Sequence, residues 1–279
     1  MRFGRHVGVA NFVNYGNASA EDLVVGRVLG ATPLGYFTIA KRFAAMPVQI
    51  VGNILGRGVY AALARLQDDR DGMRRVWLEN VQRVALFSVP ATIGIVIVAD
   101  PLVGTLFGDR WQPAVFVLQV LALNGVVHIF STTTGEVFQA LRRPQLRVVA
   151  EITHLLLLVP ALIVGALWDG IEGAAIAIVA VNIATGAPFV YVVMRQLHIA
   201  ALELAQAIAR PALGWLLLTI ALLLVRPAVT DLPRALELLT LVVVGAAVYG
   251  LAVAFVAREL VVTMWHSLRG VRVSGRPTR

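Results

Sequence analysis

Residues 34–64, LGYFTIAKRFAAMPVQIVGNILGRGVYAALA, read as one long membrane-spanning helix carrying Arg42, Gln49, Asn53 and Arg57. At about 100° per residue these four positions fall within a sector of roughly 80°. A charge inside hydrocarbon costs roughly 3 kcal/mol or more on insertion scales, so two arginines on one face should meet water, an anion or a partner helix.

The rest of the chain fits that reading. Of its 279 residues 58% are hydrophobic and only 14% charged, with a mean hydropathy of +0.80, far more apolar than a soluble domain. Apolar runs long enough to cross a hydrocarbon core of roughly 30 Å recur with short polar breaks. They predict an all-α, polytopic membrane helix bundle of about eight transmembrane helices. The predicted spans are 7–29, 34–64, 76–99, 113–140, 146–167, 172–194, 209–226 and 236–257. The first is the most polar, with Asn11, Asn14, Asn17, Glu21 and Asp22.

Lys and Arg beside short loops stay on the cytoplasmic side. Alternate breaks hold Arg2 and Arg5; Arg65, Arg70, Arg74 and Arg75; Arg142, Arg143 and Arg147; Arg195 and Arg210; and the arginines from Arg258 onward. The opposite breaks hold only Arg110, Arg226 and Arg234. Both termini are therefore expected in the cytoplasm. The net charge of +8 is spread along that edge rather than gathered on one face, which suits anionic headgroups and argues against nucleic acid. The basic stretch 258–279 reads as a disordered, lipid-associated tail. Without cysteine there is no disulfide, thiolate metal site or Cys nucleophile. The asparagines near the start interrupt any signal-peptide core.

The longest cytoplasmic break is RLQDDRDGMRRVW; opposite it, ADPLVGTLFGDRWQP suggests a turn with a short amphipathic segment at headgroup level. Prolines inside spans, at Pro47, Pro90, Pro160 and Pro188, remove backbone hydrogen bonds and favour kinks. The last two spans hold little polar besides Thr219, Thr240 and Tyr249, and should face lipid or pack peripherally.

Candidate ligand-binding residues are Arg42, Arg57, Gln49, Asn53 and Lys41 on the second span, Asn14 and Glu21 on the first, and Asn124 and His128 on the fourth. Two arginines with Gln and Asn between them offer fixed positive charge and adjustable hydrogen bonding to a phosphate-bearing ligand. The alternative is snorkelling, with Lys41 and Arg42 reaching one interface and Arg57 the other. Asn14 and Glu21 either face the arginine stripe or pair helices, Glu21 or Asp22 bridging to Arg27, Lys41 or Arg42. His128 reads first as an interhelical hydrogen-bonding residue, and Glu151 with His154 is too sparse for a metal. No cofactor motif, phosphate-cradling Gly-rich loop or nucleophile elbow occurs, so an enzyme is disfavoured.

The run from GRVLGATPLGYFTIAKRFAAMPVQIVGNILGRGVYAALARLQDD to GDRWQPA resembles the polysaccharide-transport branch of the MOP flippase superfamily, the Wzx-like translocases of O-antigen, lipopolysaccharide and exopolysaccharide units. The matching features are the GR-LG-x3-LGY start, the A-x-R and P-x-Q pairs, ALARLQDD and the GDRWQPA turn. The resemblance implies a multi-pass protein of the bacterial inner membrane that moves undecaprenyl-pyrophosphate-linked oligosaccharide between leaflets by alternating access, its arginines holding pyrophosphate. Membrane lipids are then partners as well. Members have two lobes, and this sequence matches from what would be their seventh span. Residues 1–200 then form a six-helix C-terminal-type lobe, 201–257 two additional helices and 258–279 the tail. The N-terminal lobe is either missing from this sequence or supplied by a partner. A cation-coupled multidrug exporter of the same superfamily, using Glu21, Asp22 or Glu136, and a membrane-embedded glycosyltransferase or polymerase are the competing readings.

Overall fold

The computed structural model describes residues 19–55, 59–141 and 144–256, and the regular elements among them are helical. Helix α1 (19–29) and α2 (Ala31–Leu55) are joined by Gly30, whose φ of 92° only glycine adopts without strain. Then come α3 (Val59–Arg65), α4 (Arg70–Phe107), the 3₁₀ turn Asp109–Trp111, α5 (Pro113–Ala122), α6 (Asn124–Ala140), α7 (Pro144–Gln196), α8 (Ala201–Val229) and α9 (Arg234–Val256).

The expected spans are refined in four places. The second divides into α2 and α3, with 56–58 outside the described residues. The third runs beyond 76–99 at both ends, as a 38-residue helix about 57 Å long, continuing through Pro101. Its charged start, RDGMRR, therefore projects past any hydrocarbon layer. The fourth breaks at Leu123, whose N–H turns back to Val120 and Leu121. The fifth and sixth run together as α7 but fold back on each other at Asp169 and Gly170, where the dihedrals leave the helical region.

That reversal makes α7 a hairpin. A Cβ on Gly165 would stand 2.4 Å from the Gly173 carbonyl oxygen, and one on Gly173 2.1 Å from that of Gly165. Close backbone approach through small residues is how helices pack where lipid is as apolar as the side chains. Four described helical stretches are long and apolar enough to cross a membrane: Arg70–Phe107, Val148–Gln196, Pro211–Val229 and Arg234–Phe255. The second of these, folded at Gly170, supplies two crossings. Polar α2 is not among them.

Two hydrophobic clusters stack along the bundle. One joins Val25, Phe37, Ala40 and Ala44 to Ala99, Val103, α5 and the arms of the α7 hairpin nearest its turn. The other joins Leu63, Met73, Trp77 and Val81 to Ile129 and Phe138 of α6 and to Val193 and Leu197. Pro47, Pro90, Pro188 and the Leu123 break each fall where a helix passes from one cluster to the other. A third cluster seats α8 and α9 on Ile97 and Val98 of α4, through Leu218, Leu222 and Leu241. The Tyr249 hydroxyl donates to the Leu86 carbonyl and Arg234 pairs with Asp109. The outer faces of both helices are strongly apolar, with Leu224 and Phe255 fully presented, as expected for lipid contact. One polar residue there went unforeseen: Glu237 is buried at the start of α9.

The start of α4 depends on local chemistry. Asp69 caps it, its carboxylate accepting from the Gly72 N–H at 2.9 Å. A Cβ at Gly72 would lie 2.5 Å from that carboxylate. Asp69→Ala should therefore cost about 1 kcal/mol in detergent unfolding, the usual worth of a cap, and Gly72→Ala at least as much because it displaces the cap. A pair of unchanged melting curves would refute this.

Candidate functional site

Helix α2 divides sharply by face. Phe37, Ala40 and Ala44 are buried in the bundle, whereas Thr38, Arg42, Met46 and Gln49 are exposed and share a sector of about 80°. The arginine at 42 and the glutamine at 49 thus stand on a surface that no described element of this chain covers. Asn53 lies on the same face by register, but its side chain is outside the described residues, as are Arg57 and Asn14 entirely.

Lys41, one step round the helix, behaves differently. Its Nζ lies 3.3 Å from Glu21 and forms a second ion pair with Asp22, and it sits over the Phe37 ring at 5.6 Å from the centroid. The one-residue Gly30 turn brings this about. Folding α1 back along α2 sets positions 21 and 22 opposite 41. Glu21 is thus engaged in helix pairing by Lys41, the outcome set against direct ligand contact in the sequence.

Behind the face lies a chain of hydrogen bonds through three helical segments. His154 in the first arm of α7 bonds Asn182 in the second at 2.7 Å, and Asn182 donates to Asn124 at 2.9 Å. Asn124 occupies the first position of α6, immediately after the break. There Thr92 of α4 donates to the Ala122 carbonyl at 3.3 Å, in space that any Cβ on Gly125 would occupy. A carbonyl freed by a broken helix is answered by a side chain from a neighbour, as buried backbone requires. Asn124 is thereby held between α6 and the second arm of α7 by Asn182. The side chain of His128 is outside the described residues. The sequence reading passed over Asn182 and Thr92; the lone asparagine in AIVAVNIATG was the available signal.

Aromatic rings pack beside this face, against the core. Tyr36 meets Trp111 edge-on at 5.3 Å, Trp111 meets Phe107 at 5.4 Å, and Phe107 meets Phe43 at 5.7 Å. The GDRW segment is thus a short helical turn anchored on α2. Gln112 donates to Asp100 at 2.9 Å and holds it in place.

Apolar crossing helices, a glycine-packed hairpin and a small polar interior define a multi-pass membrane protein of the helix-bundle type. Comparison with known proteins narrows this. A family model described as "Polysaccharide biosynthesis protein" matches residues 1–116. The lipopolysaccharide biosynthesis protein WzxC of Escherichia coli K12 is 27% identical over 183 residues, covering 66% of this chain and 37% of WzxC. The teichuronic acid biosynthesis protein TuaB of Bacillus subtilis 168 is 30% identical over 144 residues, 52% of this chain and 30% of TuaB. Among solved structures, lipid II flippase MurJ in an inward closed conformation superposes with a TM-score of 0.73 at 16% identity, over 90% of this chain and 53% of MurJ. The chain is thus similar in sequence to proteins of polysaccharide biosynthesis, and its fold matches part of MurJ. It spans little more than a third of WzxC and about half of MurJ.

Proposed function

We propose that the chain acts as the C-terminal-type lobe of a flippase for lipid-linked oligosaccharide in the bacterial inner membrane, with both termini cytoplasmic. The observation that carries this reading is the face of α2 on which Thr38, Arg42 and Gln49 stand exposed beside Met46, opposite the buried Phe37, Ala40 and Ala44. A guanidinium kept out of the bundle in a membrane protein needs an anionic or aqueous counterpart, and a pyrophosphate supplies the charge that two arginines match. In this reading residues 1–200 form the lobe, α8 and α9 flank it, and a second lobe, from a longer chain or a partner, closes the cavity. Arg42 and Arg57 hold undecaprenyl-pyrophosphate, Gln49, Asn53, Asn14, Asn124 and His128 serve sugar hydroxyls, and Lys41 with Glu21 fixes α1 to α2. The pairing of Glu21 and Asp22 with Lys41 speaks against those two as exchanging carboxylates in the exporter alternative, which is left with Glu136.

The test is binding of undecaprenyl-pyrophosphate oligosaccharide to purified protein, wild type against Arg42→Ala and the Arg42→Ala, Arg57→Ala double variant. Each lost charge-assisted contact should weaken binding by about tenfold, and wild-type binding should fall as salt rises. Equal, salt-insensitive binding by the double variant would reduce the stripe to a structural feature.

A further inference from the structure

A cleft of about 790 Å³ opens between the first three turns of α4 and the start of α8, with no α2 residue in its lining. Its charged lining comes from both helices: Asp71, Arg74 and Arg75 from α4, and Glu203 from α8, with Gln82 and Gln206 between them. Arg74 is fixed, pairing with Glu203 at 2.5 Å. Arg75 and Asp71 are exposed and have no ion-pair partner among the described residues. Two carboxylates and two guanidiniums leave the cleft without net charge. That balance fits poorly with a purely anionic ligand and well with one carrying both signs.

Its position identifies the class of ligand. The start of α8, Ala201–Ala209, carries Glu203 and Gln206 and precedes Arg210 and the apolar run ALGWLLLTIALLLV at 212–225. The cleft-lining part of α4 likewise belongs to the charged start that projects past the hydrocarbon. The cleft therefore opens at headgroup level, on the arginine-rich edge expected to be cytoplasmic. Exposed Leu202, Leu213 and Leu217 continue the α8 surface from the cleft along the crossing, a path for acyl chains.

We propose that this cleft binds the headgroup of an aminophospholipid, its phosphate on Arg75 and its primary ammonium on Asp71, with Gln82 and Gln206 at hydrogen-bonding positions alongside. A primary ammonium offers three donors to a carboxylate, whereas a trimethylated one offers none. Phosphatidylethanolamine should thus be held over phosphatidylcholine. Phosphatidylglycerol, lacking the cation, leaves Asp71 facing phosphate. This site is independent of the transport reading.

Native mass spectrometry of the full chain in detergent, supplied with the three lipids in equal amounts, tests it. Wild type should retain phosphatidylethanolamine about fivefold over either competitor, and Arg75→Ala or the milder Arg75→Gln should reduce that retention about tenfold. Asp71→Asn should abolish the preference over phosphatidylcholine and raise phosphatidylglycerol, because the cleft then carries net positive charge. Indifference to headgroup in the wild type, or retention unchanged in the variants, would overturn the proposal. So would equal competition by acyl-free glycerophosphoethanolamine, which would mark a soluble ligand.

Discussion

Lys41→Met is expected to destabilise the protein by about 2–4 kcal/mol, toward the lower part of the range for breaking a buried pair because the site is partly open to solvent. Lys41 is the one cation paired with Glu21 and Asp22 among the described ion pairs. Methionine keeps the packing of the stem against Phe37 but leaves the part-buried Glu21 and its neighbour Asp22 without their shared cation. The loss should be read as a lower melting temperature in detergent. The diagnostic step is the triple variant with Glu21→Gln and Asp22→Asn, which removes the uncompensated charge and should recover most of the loss. If Lys41→Met melts like the wild type, or the triple variant is worse, the ion pairs do not hold α1 to α2.

Larger still is the effect expected at the α7 hairpin. Gly165→Ala and Gly173→Ala each place a methyl group against an opposing carbonyl, at 2.4 and 2.1 Å. Backbone cannot swing aside as a side chain can, so the arms must separate. The cost should reach about 3 kcal/mol or more per substitution, the upper part of the overpacking range. Separation also pulls His154 from Asn182, and through it disturbs Asn124. Melting temperature and the protease sensitivity of the turn at Asp169 and Gly170 would both report it. Gly94→Ala, where a Cβ meets nothing within 4 Å, is the control and should be nearly silent.

The sequence made the broad architecture legible because hydrocarbon thickness imposes a length on every crossing, whatever the tertiary detail. Helical register alone likewise puts positions 42 and 49 together on the exposed side of α2, while Arg57 and the Asn53 side chain lie outside the described residues. Helix interruptions were less visible. Leu123 is an ordinary helix former, and α6 starts after it for tertiary reasons: Thr92 answers the freed carbonyl and Asn182 takes Asn124. The exact partner of Lys41 was also hidden. Arg42 is its immediate neighbour in sequence, and only the one-residue turn at Gly30 decides which of the two faces α1. Asn182 escaped notice because a single amide in an apolar run gains its meaning only from a partner 58 residues away.

The seam between the two stacked clusters has a mechanical meaning. At Pro47, Pro90, Pro188 and Leu123 the ladder of backbone hydrogen bonds is interrupted in several helices of the bundle, all between the same two blocks of side chains. A column scored at one level on several sides keeps its strength under end-on load yet yields most readily there in bending. Bending of the bundle therefore concentrates at that one level and leaves the packing within each block intact.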